Sequence, residues 1–118
     1  MSKSHGSWSR RKGVEFEREV QRRLAEVFGR ALVRRGVKAR GRHAPADVVT
    51  PGFWIECKSQ RRANPRAALR QAAGGAVAEG RWAVAVCKDD GKPPQVTMSF
   101  EDFVALLRDW HELRLQRR

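Results

Sequence analysis

Apolar residues recur along the chain in two rhythms, one of roughly three to four residues and one of two. Across residues 13–30, Val20, Leu24, Val27, Phe28 and then Ala31 follow helical spacing, while Arg22, Arg23 and Glu26 fall on the other side. This predicts a first helix. Residues 31–37 read as a short strand, and residues 40–45, Arg-Gly-Arg-His-Ala-Pro, as a basic loop closed by proline. Two apolar runs, 46–50 and 53–58, flank Pro51-Gly52 and predict a β-hairpin. A second helix is expected over 66–79, Ala/Gly-rich and ended by Gly80. Strands at 82–88 and 95–98 follow, separated by the turn Asp89-Asp-Gly-Lys-Pro-Pro. Ser99, with Asp102 three positions on, is placed to cap a last helix carrying Phe103, Leu106, Leu107 and Trp110 on one face. The order α-β-β-β-α-β-β-α predicts an α/β protein with a central mixed sheet flanked by helices.

The amino-terminal residues 1–12 have no periodicity and are rich in Ser, Gly, Lys and Arg, the composition of a flexible basic arm. Residues 13–118 then form a single domain, as expected for a chain of 118 residues. The chain has 25 Lys and Arg against 13 Asp and Glu, a formal charge of +12. Such a balance favours a polyanionic partner, nucleic acid first and an anionic membrane second. No apolar run approaches the roughly 18 residues of a spanning helix, and the amino terminus lacks the apolar core of a signal peptide. A soluble protein of the cytoplasm is expected. Cys57 and Cys87 lie in apolar runs outside any CxxC or Cys/His cluster, which suits reduced core thiols better than a disulfide or zinc.

The acids are placed less ordinarily. In a strand over 53–58, alternation puts Phe53, Ile55 and Cys57 on one face and Trp54, Glu56 and Lys58 on the other. A hairpin centred on Pro51-Gly52 sets Asp47 opposite Glu56, with Cβ atoms about 4.5–5.5 Å apart. Facing carboxylates repel, so the pairing asks for a cation or a shared proton. Mg²⁺, held by carboxylates, phosphate oxygens and water, meets that need. Glu17 lies three and seven residues before Val20 and Leu24, on the apolar stripe of the first helix, where a carboxylate needs a partner. Glu15, Glu19 and Glu26 lie off that stripe. The alternatives are an ion pair between Glu17 and a nearby arginine, and an ordinary salt bridge between Glu56 and Lys58 on an exposed strand face.

Together these segments carry a resemblance. Lys12-Gly-Val-Glu-Phe-Glu-Arg-Glu-Val20, then Pro45-Ala-Asp-Val-Val49, then Ile55-Glu-Cys-Lys-Ser59 resemble, in order and spacing, the three core motifs of archaeal-type Holliday junction resolvases of the PD-(D/E)xK nuclease superfamily. The likeness extends over most of the chain. It implies a restriction-endonuclease-like fold and catalysis through Glu17, Asp47, Glu56 and Lys58. It also implies Mg²⁺ as cofactor with Mn²⁺ as substitute, and a homodimer cutting two strands of a four-way DNA junction in recombination and repair. Cleavage to 5′-phosphate and 3′-hydroxyl ends follows from the same likeness. In that scheme Glu17, Asp47 and Glu56 hold the metal, and Lys58 orients the attacking water and offsets charge on the phosphate. Gln71 matches a glutamine that many superfamily members place near the site, although a solvated helix glutamine is the equal alternative.

Arg18, Arg40, Arg42, His43, Arg61 and Arg62 are candidates for phosphate contacts, against the plainer reading of a solvated charge run. Trp8 stands ready to stack on an unpaired base, or is an incidental exposed aromatic. Nothing resembles a base-reading helix, so selection by DNA structure is favoured over operator recognition. Val96, Met98, Phe100, Phe103 and Trp110 are candidates for the dimer interface, with core packing the expected use of most of them. Two readings compete. One is a different PD-(D/E)xK endonuclease, acting in repair, on flaps or in restriction, and the other is a non-catalytic basic DNA-binding protein.

Overall fold

The computed structural model describes residues 2–36 and 46–117. Its elements are α1 (Ser2–Phe28), a 3₁₀ turn (Arg30–Leu32), β1 (Arg34–Arg35), β2 (Val48–Thr50), β3 (Phe53–Gln60), α2 (Pro65–Ala78), β4 (Trp82–Asp89), β5 (Gln95–Thr97) and α3 (Phe100–Gln116). The five strands form one sheet in the order β1-β2-β3-β4-β5. β3 and β4 are parallel and the other pairs antiparallel, so the sheet is mixed. A parallel pair needs a long crossover, and α2 supplies it.

Alternation along β3 sorts its side chains between two layers. Ile55 and Cys57 join Phe16, Val20, Val33, Val48 and Val84 in a core beneath α1. Trp54 faces the other way and packs with Ala46, Val49, Ala72, Ala76 and Ala83 beneath α2. α2 approaches closely because its inner face is Ala68, Ala72, Gly75 and Ala76. A Cβ on Gly75 would stand 2.6 Å from the Trp54 ring, so the position admits no side chain without displacing the indole. The helix opens on Asn64, whose side chain accepts the Ala67 N–H at 3.1 Å, and on Pro65 at its first position. It closes before Gly80, whose φ of 64° suits a residue without a Cβ.

Two boundaries, and the burial of one helix, differ from those expected. α1 begins at Ser2, so the segment read as an arm without periodicity continues the helix, and Lys12 within it pairs with Asp90 of the β4–β5 turn. Aperiodic polar residues still adopt helix where nothing in them breaks it. Of the strand expected over 31–37, the described residues 31–36 hold only Arg34–Arg35, preceded by a 3₁₀ turn. The largest difference is α3. Ser99 caps it as expected, accepting the Asp102 N–H at 3.1 Å, yet the helix buries none of its residues. Val96, Phe100, Phe103 and Trp110, expected mostly in the core, are exposed, and only Met98 packs against it. A spacing pattern shows that a helix has an apolar face without showing what covers it. Among the described residues, no helix is long and apolar enough to cross a membrane.

Candidate active site

The hairpin register is the one expected about Pro51-Gly52, with Val48 opposite Ile55, Val49 opposite Trp54 and Thr50 opposite Phe53. The ladder ends one residue short of Asp47. Instead of standing square across from Glu56, Asp47 donates its N–H to the Ile55 carbonyl at 3.0 Å, and its Oδ2 accepts the Cys57 N–H at 2.8 Å. The carboxylate therefore fills the gap that β2 leaves beside β3. From there it touches both layers of the molecule.

Glu17 reaches this gap from α1, one residue after buried Phe16 and three before buried Val20. Its carboxyl is raised above the ordinary value, first by burial and then by the charge of Asp47 and a hydrogen bond with it. Arg35 acts the other way, with Nη2 at 3.2 Å from Glu17 Oε2. Glu56 arrives from the opposite face of β3 and is 3 % exposed. Burial, then the neighbouring Asp47, pushes its carboxyl up to about 8, and Lys58 lowers it from 3.5 Å away. Asp47 thus lies between two acids that enter from different sides, each accompanied by its own cation. Among the described residues no three His, Cys, Asp or Glu side chains are gathered as a bound ion gathers its ligands. The arrangement is a row with Asp47 at its centre, and each end of the row is held by a basic side chain.

Both plainer readings are met only in part. Glu17 does pair with an arginine, but it also shares a hydrogen bond with Asp47. Glu56 does pair with Lys58, but from a buried position rather than an exposed strand face. A carboxyl buried within reach of a second carboxylate and kept near neutrality is more typical of a working site than of a stabilising surface pair.

The remaining candidates are scattered. Arg18 is exposed on α1, beside a groove it shares with Arg22 and Arg30. Arg61 and Arg62 are exposed just beyond β3, where they line a second groove with Asp90. Gln71 is exposed on α2, off its buried face. Trp8 is exposed on α1. Arg40, Arg42 and His43 lie outside the described residues. Arg35 is the site residue that sequence reasoning missed, since its place depends on the pairing of Arg35 with Val48, next to Asp47. Cys57 and Cys87 are buried free thiols, as expected, and burial raises both. Comparison with family models, with curated proteins and with solved structures returned no match to this chain.

Proposed function

We propose that this chain is a divalent-cation-dependent endodeoxyribonuclease with a restriction-endonuclease-like arrangement, acting on four-way DNA junctions. The observation that carries the reading is Asp47 held between Glu17 and Glu56, with Lys58 two residues beyond Glu56, in the motif order seen in the sequence. The donor set fits a hard cation, being all oxygen, partly desolvated and strained by its own negative charge. Glu17, Asp47 and Glu56 would hold Mg²⁺ or Mn²⁺, with Arg35 and Lys58 freed to turn toward phosphate. When bound, such an ion activates water at neutral pH and offsets charge on the phosphate.

The chain's own groups supply the rest. Lys58, whose side chain is 34 % exposed, is placed to orient water and to donate to a phosphate oxygen as its charge develops. Arg35, more exposed at its side chain than Glu17, is free to swing toward the DNA backbone. Arg61 and Arg62 extend the basic surface beyond Lys58, and Arg18, Arg22 and Arg30 extend it along α1. A junction needs two opposed nicks and each copy has one such site, so the reading requires a homodimer.

The test is cleavage of a four-way junction, a flap and a linear duplex of the same sequence, with Mg²⁺ and with chelator. Paired, Mg²⁺-dependent cuts in the junction are expected. Preference for the flap or the duplex would reassign the substrate, and metal-independent binding without cutting would leave a non-catalytic DNA-binding protein.

A further inference from the structure

α3 is an amphipathic helix whose apolar side is only partly covered: Val104, Ala105 and Leu106 are half-buried, and the Arg114 guanidinium lies 4.8 Å from the centre of the Trp110 ring. Phe103, Leu107, Trp110 and Leu113 recur at helical spacing, and Trp110 and Leu113 remain 52 % and 58 % exposed. On the same chain, an apolar groove runs between the carboxyl-terminal half of α1 and the sheet, lined by Leu24, Val27, Phe28, Val86, Val96 and Met98. Val27 and Val96 in it are 74 % and 65 % exposed. The chain's own α3 touches this groove only through Leu106. Met98 and Ser99 alone join it to β5.

Charge and area both select the occupant. Within α3 the four acids Glu101, Asp102, Asp109 and Glu112 outnumber the two arginines Arg108 and Arg114, giving −2 in a chain of +12. The groove itself carries one charge of each sign, Arg23 and Glu26, so the attraction of such a helix is to the basic body as a whole. The exposed parts of the α3 side chains amount to on the order of 500 Å², scaled from the 150–250 Å² of a large aromatic side chain. One helix in one groove would bury about 1,000 Å², below the roughly 1,200–2,000 Å² of a stable association. Two helices in two grooves reach about 2,000 Å².

From this we infer that two copies pair by exchanging α3, the helix of each lying in the α1–sheet groove of the other. That two copies are needed rests on the junction reading, whereas this surface rests on α3 and the groove alone. The contact lies away from the acids, so it can be tested in chelator, without DNA.

The experiment is sedimentation equilibrium of the full chain and of two single variants at exposed positions, Leu113→Glu on α3 and Val27→Glu in the groove. Circular dichroism should show both variants folded. The wild-type chain should be a dimer at micromolar concentration, and each variant should dissociate at least about thirtyfold more readily. Mixed together, the two variants should associate more tightly than either does alone but more weakly than wild type, because one of the two helix–groove contacts is then intact and the other carries both changes. Asp47→Asn should leave the dimer unchanged, separating this surface from the acidic site. A wild-type monomer at about 100 µM, where either surface must then await a different protein, would overturn the exchange. So would variants that still dimerise as wild type does, or a mixture that associates no more tightly than either variant alone.

Discussion

Replacing Glu56 by glutamine should make the metal-free protein more stable, and only above acidic pH. The carboxyl of Glu56 titrates near 8 in the fold against an ordinary 4.5, chiefly because it is buried and secondly because Asp47 is beside it. A carboxyl raised in this way stabilises the folded state below about pH 4.5, and that contribution is lost as pH climbs through about 8. At pH 7 the folded chain must hold a proton that the unfolded chain releases, which at 1.36 kcal/mol per pH unit is a penalty on the order of 3 kcal/mol. The lost pairing with Lys58 offsets part of it. Glu56→Gln keeps the shape and removes the titration, so in chelator its Tm should exceed that of wild type by up to about 10 °C at pH 7 to 8. The two should converge near pH 4.5. Glu17 is shifted in the same direction, so wild type should lose stability with rising pH even at constant net charge elsewhere. Thermal melts across pH 4.5–8.5, with chelator and with Mn²⁺, provide the assay. With Mn²⁺ the order should invert at high pH, because the ion stabilises the ionised wild-type site and has less to bind in the variant. A variant less stable by the same amount at every pH would refute the reasoning, since the carboxyl would then be an ordinary packing and pairing group.

Asp47→Asn should abolish cutting while junction affinity, measured by gel shift in Ca²⁺ or chelator, stays equal or rises, because a negative charge beside phosphate is removed; parallel loss of both would indicate a folding role. Lys58→Ala should slow single-turnover cleavage by roughly 10²–10³-fold with little change in binding, and near wild-type turnover at saturating Mg²⁺ would reduce the lysine to a partner of Glu56. Gly75→Ala should lower stability by about 1–3 kcal/mol in urea, since its methyl meets the Trp54 ring and must push it aside.

The central part of the molecule was legible because its determinants are local. Alternation around Pro51-Gly52 determines which face each β3 side chain takes, and the observed register follows it residue for residue from Val48 to Thr50. Glu17 was identified by standing on an apolar stripe, and it does lie between buried Phe16 and Val20. What could not be read is what depends on contacts between distant segments. The turn of Asp47 out of the ladder depends on an N–H of Cys57 that β2 leaves unpaired. Arg35 reaches Glu17 because β1 pairs with β2, and a strand of two residues leaves almost no periodic signal. α3 was expected against the core because its spacing shows an apolar side, but spacing does not determine what covers that side, and the helix buries none of its residues.

The position of Asp47 ties the chain's architecture to its chemistry in a way that constrains how the sequence can drift. Its carbonyl accepts from Gly36 at 3.4 Å, its N–H donates to Ile55, and its carboxylate takes the Cys57 N–H, so a single residue fastens the segment after β1, the start of β2 and the middle of β3. An inactive descendant cannot freely replace it. Asparagine retains an oxygen for Cys57 and keeps the three segments aligned, whereas alanine keeps only the two main-chain bonds and loosens the register of β2 on β3, where a slip of one residue would send Val48 and Val49 each into the other's layer. Descendants that abandon the reaction should therefore keep an aspartate or asparagine here long after Lys58 has been lost.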